Sequence, residues 1–234
     1  MSQKAKGIGY PSGSKAFLDF GFRVSEGWEQ NLKIEVLEIS DFAPPFRNPK
    51  SEIRNKFYLR PMKLDIIYQD DQIVVVNKPA ELLTIPDRHD ATKPSLYGEL
   101  NKIFGKVFIV HRLDRETSGI LVFALNEDAH RDLSMQFENK ETRKVYLAIL
   151  DGSMHADDGE INKPIAEHTS VPGRMVVAKR GKESLTLFRV VERFKHFTLV
   201  EADIRTGRTH QIRVHFQSIS YPLDVELGFF NVAC

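Results

Sequence analysis

Cysteine is all but absent from this chain. The single one is Cys234, so neither an internal disulfide nor a cysteine-based zinc site can form. Long apolar runs are missing as well. The longest are six residues, 120–125 and 145–150, far short of the roughly 20 that span a bilayer, so no membrane partner is expected. The N-terminal stretch MSQKAKGIGYPSGSKAF lacks the apolar core of a secretory signal. A cytoplasmic protein without disulfides is the expectation. Net charge is nearly absent too, at +1 from 33 Lys plus Arg against 32 Asp plus Glu. That excludes a chain basic throughout, yet it leaves nucleic acid open, because clustered charge matters more than the sum.

What is present is ordinary for a globular protein: 234 residues, 41% hydrophobic and 28% charged. The length fits one large domain, or one domain with a small appendage. Residues 1–60 read as an N-terminal leader or small appendage. Gly, Ser and Pro crowd residues 7–13, three prolines crowd 44–49, and LKIEVLEI at 32–39 alternates like a strand. The spacing Gly7-x-Gly9-x-x-x-Gly13 is a poor dinucleotide loop, since no strand precedes it and Pro11 interrupts it.

Residues 61–234 read as the main domain. IIYQDDQIVVV predicts two short strands around an Asp-Asp-Gln turn, closed by Asn77-Lys78-Pro79. Apolar strands are expected at 107–110 and 120–125, flanking a polar insert at 111–119. Asn126 is placed to cap a helix whose stripe is Ala129, Leu133 and Phe137. Further strands are expected at 143–150 and twice within 184–205. Thr209 is placed to cap a short helix with the stripe Ile212, Phe216 and Ile219. Strands and helices without a regular βαβ period predict an α+β domain around a mostly antiparallel sheet.

Two segments could carry chemistry. HRLDRETSG (111–119) sets the carboxylate of Asp114 between Arg112 and Arg115. Guanidinium groups close in space would favour its ionised form, which can act as nucleophile or base. On spacing alone the segment is equally a salt-bridged surface turn. IRTGRTHQIRVH (204–215) carries Arg205, Arg208, Arg213, His210 and His215 with no acid, where a glycine turn leads into a helix N-terminus suited to phosphate. The two histidines are five apart, not the four of a zinc-binding helix pair, so no metal is expected. Alone, this is also a solvated basic face. Residues 171–215 nevertheless hold ten Lys or Arg against four Asp or Glu, a local +6, with an acid-free run at Arg174, Lys179, Arg180 and Lys182. Such a run suits a phosphate backbone.

Taken together, IIYQDDQIVVVNKPAELLTIPDR (66–88), HRLDRETSGILVFAL (111–125), RKVYLAIL (143–150) and RTGRTHQIRVH (205–215) resemble the RluA family of RNA pseudouridine synthases. The resemblance implies that family's α+β fold, with a mixed, mostly antiparallel sheet flanked by helices. It implies Asp114 as the catalytic aspartate and Arg112 as the arginine that intrudes into RNA and holds the target nucleotide out of its stack. Tyr146 matches the tyrosine that packs on the flipped uracil and is also assigned to assist loss of the proton from carbon 5, and Arg213 matches the basic partner of the aspartate. Ile212 matches the apolar wall of the uracil pocket, although it is equally a core stripe residue, as Tyr146 is equally a core tyrosine. Arg208 is placed with them as a substrate-binding residue, whereas Lys78 and Pro79 match a motif read as structural.

The implied function is isomerisation of a uridine in structured RNA, tRNA or rRNA, to pseudouridine by a monomer. The nitrogen–ribose bond breaks, the uracil turns, and ribose joins carbon 5, so no cofactor, metal or energy source is needed. Where the family continues with a His-Pro turn and a Gly-Asp-x-x-Tyr-Gly segment, Ser220-Tyr221-Pro222 and LDVELGFFNVAC stand here. The usual C-terminal strands are therefore expected to be missing. That irregular end keeps open an RNA-binding or RNA-remodelling protein of the same fold without turnover. A carboxylate glycosidase on free nucleosides would need a second acid, for which Glu116 is the local candidate.

Overall fold

A computed structural model describes residues 64–225, together with the backbone of two strands nearer the N-terminus. Those two, β1 (Ala16–Arg23) and β2 (Glu29–Val36), pair antiparallel with Ala16 opposite Val36 and Arg23 opposite Glu29. The strand expected at 32–39 falls at β2, and the sequence reading offers no counterpart to β1. The glycine-rich stretch 7–13, the prolines of 44–49 and everything after Val225 lie outside the described residues, so the expectations of a leader and of absent closing strands rest there.

The first sheet has the order β3-β4-β6-β5, from β3 (Asp65–Gln69), β4 (Ile73–Lys78), β5 (Phe108–Ile109) and β6 (Gly119–Ala124). Asp70 turns the chain between β3 and β4, its Oδ1 accepting from the backbone N–H of Gln72 at 2.8 Å and Ile73 at 2.7 Å. Pro79 ends β4, because proline has no N–H for a ladder. Helix α1 (Leu96–Phe104) lies between β4 and β5, capped by Ser95, whose side chain accepts from Gly98 N–H. Helix α2 (Glu127–Glu138) follows β6. Asn126 caps it as expected, accepting from Ala129 N–H at 2.9 Å.

The second sheet has the order β13-β7-β12-β11-β8. Its members are β7 (Val145–Asp151), β8 (Asp158–Asn162), β11 (Leu185–Arg193), β12 (Phe197–Ile204) and β13 (Leu223–Val225). A small hairpin, β9 (Ile165–Glu167) with β10 (Met175–Val177), stands apart from it. Helix α3 (Gln211–Gln217) sits between β12 and β13. Every pairing between the named strands is antiparallel, in keeping with the α+β reading.

Burial explains why β4 and β6 read as unbroken apolar runs. Val74, Val76, Leu121 and Phe123 face inward onto the second sheet, where they meet Ala148, Leu150, Val200 and Ala202 in one core with Leu96, Leu100, Ile212 and Phe216. Ile73, Val75, Ile120 and Val122 face the other way, onto Ala129 and Leu133 of α2. Both faces of these strands are covered, so no polar alternation survives. Strand β7 of the second sheet does alternate: Tyr146, Ala148 and Leu150 are buried and the residues between them half-buried. Tyr146 stands opposite Ala202 of β12, where the small partner leaves room for the ring.

Candidate active site

The 111–119 insert leaves the end of β5 and enters β6, crossing the seam between the two sheets. Two anchors hold it from below. Thr84 Oγ1 donates to the carbonyl of Leu113 at 2.7 Å and accepts from the N–H of the same residue at 3.2 Å. Lys78, with no exposed surface, donates to the carbonyls of Pro79 at 2.9 Å, Leu82 at 2.8 Å and Arg115 at 3.1 Å. Asp114 is therefore flanked on both sides by fixed main chain, and Thr117 N–H closes the turn onto its carbonyl at 3.2 Å. Burial pushes the Lys78 ammonium down to about 8, opposed by Glu116, Asp114 and Glu81. At the start of the insert, His111 accepts from Val122 N–H at 3.2 Å and stacks on Phe137 at 4.6 Å. Burial and then the Lys144 ammonium push His111 down to about 3, so it is neutral.

Asp114 opens onto a cleft of about 450 Å³. All six residues expected at the site line it: Arg112 and Asp114 from the insert, Tyr146 from β7, and Arg208, Ile212 and Arg213 from the turn and helix α3. The sequence separates these groups widely, and the antiparallel neighbours β7 and β12 bring them together. The Tyr146 ring is buried, and burial, followed by the charge of Asp114, raises its hydroxyl well above the usual range. The phenol thus stays protonated. Ile212 both lines the cleft and packs in the core. Arg208 reaches along the rim, its Nε donating to the Glu183 carbonyl at 3.1 Å.

Two expectations need correction. Arg115 does not line the cleft with Asp114; its guanidinium pairs with Glu81 on the surface. His210 does stand beside Asp114, with Nε2 at 3.6 Å from Oδ2. Thr209 is not the cap of α3: His210 holds that position in the left-handed region (φ 54°, ψ 27°) without a side-chain cap bond. The Arg208 N–H is satisfied by Gln211 Oε1 at 3.0 Å. The run Arg174, Lys179, Arg180 and Lys182 is absent from the cleft lining and surrounds the β9–β10 hairpin. Gly181 permits that hairpin, since a Cβ there would stand 2.5 Å from the Ile165 backbone.

The lining remains cationic. Arg112, Lys140, Lys144, Arg205, Arg208 and Arg213 face it against the carboxylates of Asp114 and Glu138. Among the described residues, no group of three or more His, Cys, Asp or Glu could hold a metal ion, and no helix is long and apolar enough to cross a membrane. A cationic rim suits a polyanion, and a buried tyrosine in the same cleft can support a stacked base.

Residues 72–218 match the family described as RNA pseudouridylate synthase, a stretch that holds all six expected residues. The chain belongs to the RluA family of RNA pseudouridine synthases. It is similar to the uncharacterized RNA pseudouridine synthase YlyB of Bacillus subtilis, 42% identical over 171 residues covering 70% of this chain and 56% of that protein. The dual-specificity RNA pseudouridine synthase RluA of Vibrio cholerae is 37% identical over 161 residues, covering 68% of this chain and 66% of the other. Among solved structures, human RNA pseudouridylate synthase domain containing 1 matches with a TM-score of 0.59 at 30% identity, covering 70% of each chain. The chain thus spans little more than half the length of the Bacillus relative.

In this member of the RluA family, several groups at the site have no strong sequence signal. Thr84 and Lys78 act on partners 29 and 37 positions away, and no local pattern marks such contacts. Lys140 and Lys144 join the cleft only because the end of α2 and the start of β7 border it. His210 stands within the basic segment singled out from the sequence, but its approach to Asp114 depends on the left-handed backbone at that position.

Proposed function

We propose that this cleft converts uridine in structured RNA, tRNA or rRNA, to pseudouridine, with Asp114 as the catalytic carboxylate. The observation that carries the reading is the convergence of Arg112, Asp114, Tyr146, Arg208, Ile212 and Arg213 on one cationic cleft. Extruding a nucleotide costs a few kcal/mol, which contacts to the RNA must offset. Arg112 occupies the vacated stack, and Arg208 grips phosphate at the rim. The Tyr146 ring supports the flipped uracil, a stack worth roughly 1–3 kcal/mol, while Ile212 closes the pocket beside it. Arg213 provides the positive partner of Asp114.

The carboxylate then assists rupture of the nitrogen–ribose bond, the uracil turns, carbon 5 bonds to ribose, and the proton on carbon 5 is lost to solvent while the freed nitrogen 1 takes one up, so the net change is an isomerisation. Tyr146 walls the pocket and is the residue assigned to assist that proton loss. In this reading residues 61–234 form the catalytic unit and 1–60 an appendage, and the protein works as a cytoplasmic monomer without cofactor or metal.

The test is a pseudouridine map of total tRNA and rRNA, taken from cells lacking the protein, before and after incubation with it. New pseudouridine at one or a few positions supports the reading and names the substrate. Salt-sensitive RNA binding without any new pseudouridine favours an RNA-binding protein of the same fold, and release of free uracil favours a glycosidase.

A further inference from the structure

Gln211, the first residue of α3, is buried at 3% exposure and uses every hydrogen-bonding position of its amide. Its Oε1 accepts from the N–H of Arg208 at 3.0 Å and from Thr206 Oγ1 at 2.7 Å. Its Nε2 donates to the carbonyl of Leu185 at 3.0 Å and to Thr186 Oγ1 at 3.1 Å. The orientation of the amide is dictated, since an N–H must meet oxygen and a carbonyl must meet N–H.

The remaining protons follow from that choice. Thr206 Oγ1 accepts from Leu185 N–H at 3.2 Å and gives its own proton to Gln211. Thr186 Oγ1, receiving from Gln211, passes its proton to Nδ1 of His215 at 2.8 Å. Nε2 of His215 faces the Lys163 carbonyl at 3.0 Å and therefore carries the ring proton. Burial holds His215 below its usual range, as does the Lys163 ammonium, while the bond to the Lys163 carbonyl opposes them. From the cleft turn to the far side of α3, every donor meets an acceptor in one sense only. Such a fully satisfied buried network is rigid, and a single mismatch in it is costly.

The network's cleft end is the turn of residues 206–210, which forms no regular structure. That turn brings Arg208 to the rim and His210 to within 3.6 Å of Asp114. We propose that Gln211 is a positioning residue: through Thr206, Thr186 and His215 it fixes the turn that presents Arg208 and His210 to the cleft, and so sets the turnover rate. This role rests on the pseudouridine synthase activity proposed above.

The experiment compares kcat and KM of wild type, Gln211→Met and Gln211→Glu on an RNA that wild type modifies, from pH 5.5 to 8, below the melting temperature of each. Methionine keeps the volume and removes the amide. The expected result is a fall in kcat of about 30- to 100-fold, the scale of a misplaced active-site group, with a smaller rise in KM as Arg208 shifts at the rim. Glutamate, when ionised, turns a second acceptor toward the Leu185 carbonyl; when protonated, it regains one donor. Its deficit relative to wild type is therefore expected to narrow about fivefold or more as pH falls, whereas that of methionine does not. Should Gln211→Met fail to fold, Thr206→Val and Thr206→Ser ask the same question, with valine lowering kcat and serine restoring it.

A Gln211→Met kcat within twofold of wild type, parallel pH profiles for wild type and Gln211→Glu, or equal rates for the two Thr206 variants would overturn the role. If wild type forms no pseudouridine, the proposed activity fails, and this role with it. An active wild type indifferent to these changes removes the role alone.

Discussion

Thr84 holds Leu113 at both of its main-chain groups, donating to its carbonyl at 2.7 Å and accepting from its N–H at 3.2 Å. Leu113 immediately precedes Asp114, and its side chain is buried in the core. The hydroxyl thus fixes the last peptide before the carboxylate to the loop that follows β4. On the other side of Asp114, the Lys78 ammonium grips the Arg115 carbonyl. A carboxylate held between two such points needs no rearrangement before it acts.

Removing the Thr84 hydroxyl should therefore harm both stability and activity. Thr84→Val leaves a buried N–H and carbonyl unpaired, at about 1–3 kcal/mol for each unsatisfied group. Chemical denaturation should show that loss, and turnover below the melting transition should fall at least tenfold. Thr84→Ser, which keeps the hydroxyl, should retain most of both. Equal activity for the valine and serine variants would contradict the positioning.

Lys78 gives a pH signature. Its folded value is about 8 against 10.5 for the free side chain, so between those values the unfolded chain binds more protons than the folded one. Stability should then rise with pH across that window and be flat, as far as Lys78 is concerned, below it. Measured as the difference in unfolding free energy between wild type and Lys78→Met, the curve should climb from pH 8 to 10.5. A flat or falling difference would contradict the assignment.

The two arginines beside Asp114 in sequence should differ sharply in effect. Arg115 pairs with Glu81 at the surface, both side chains being exposed, and such pairs contribute about 0–1 kcal/mol. Arg115→Ala should leave turnover within about twofold, because the main chain carries the contact with Lys78. Arg112 lines the cleft, and Arg112→Ala should lower kcat/KM for RNA by more than tenfold. Reversed sensitivities would show that the guanidinium beside the carboxylate had been misassigned.

Much of this was legible in the sequence, for identifiable reasons. β4 and β6 stand out as IVVV and ILVFA because both of their faces are buried, and Asn126 caps α2 through a purely local bond. Arg112, Asp114, Arg208 and Arg213 stood out in two polar segments, but Tyr146 and Ile212, and the convergence of all six, were reached through motif resemblance, since no spacing rule joins Asp114 to Tyr146 and Arg213. α1 escaped, although Ser95, Leu96 and Leu100 signal it, because a nine-residue helix offers only two buried positions. β8, β9 and β10 are too short and polar to show a period. Thr209 was the plausible cap of α3 by residue type, but Gln211 satisfies the Arg208 N–H from inside the helix. The supports of Asp114 were illegible, because Thr84 and Lys78 bond main-chain atoms remote in sequence, and any residue presents the same main chain.

The most direct measurement is pseudouridine formation by wild type and Asp114→Asn on the RNA that the map identifies, with RNA binding measured in parallel. The substitution keeps the size of a half-buried side chain, so folding and binding should persist. The account predicts stoichiometric conversion by wild type at its target uridine, and no detectable product from Asp114→Asn at matched RNA occupancy. Equal pseudouridine from both proteins would contradict it.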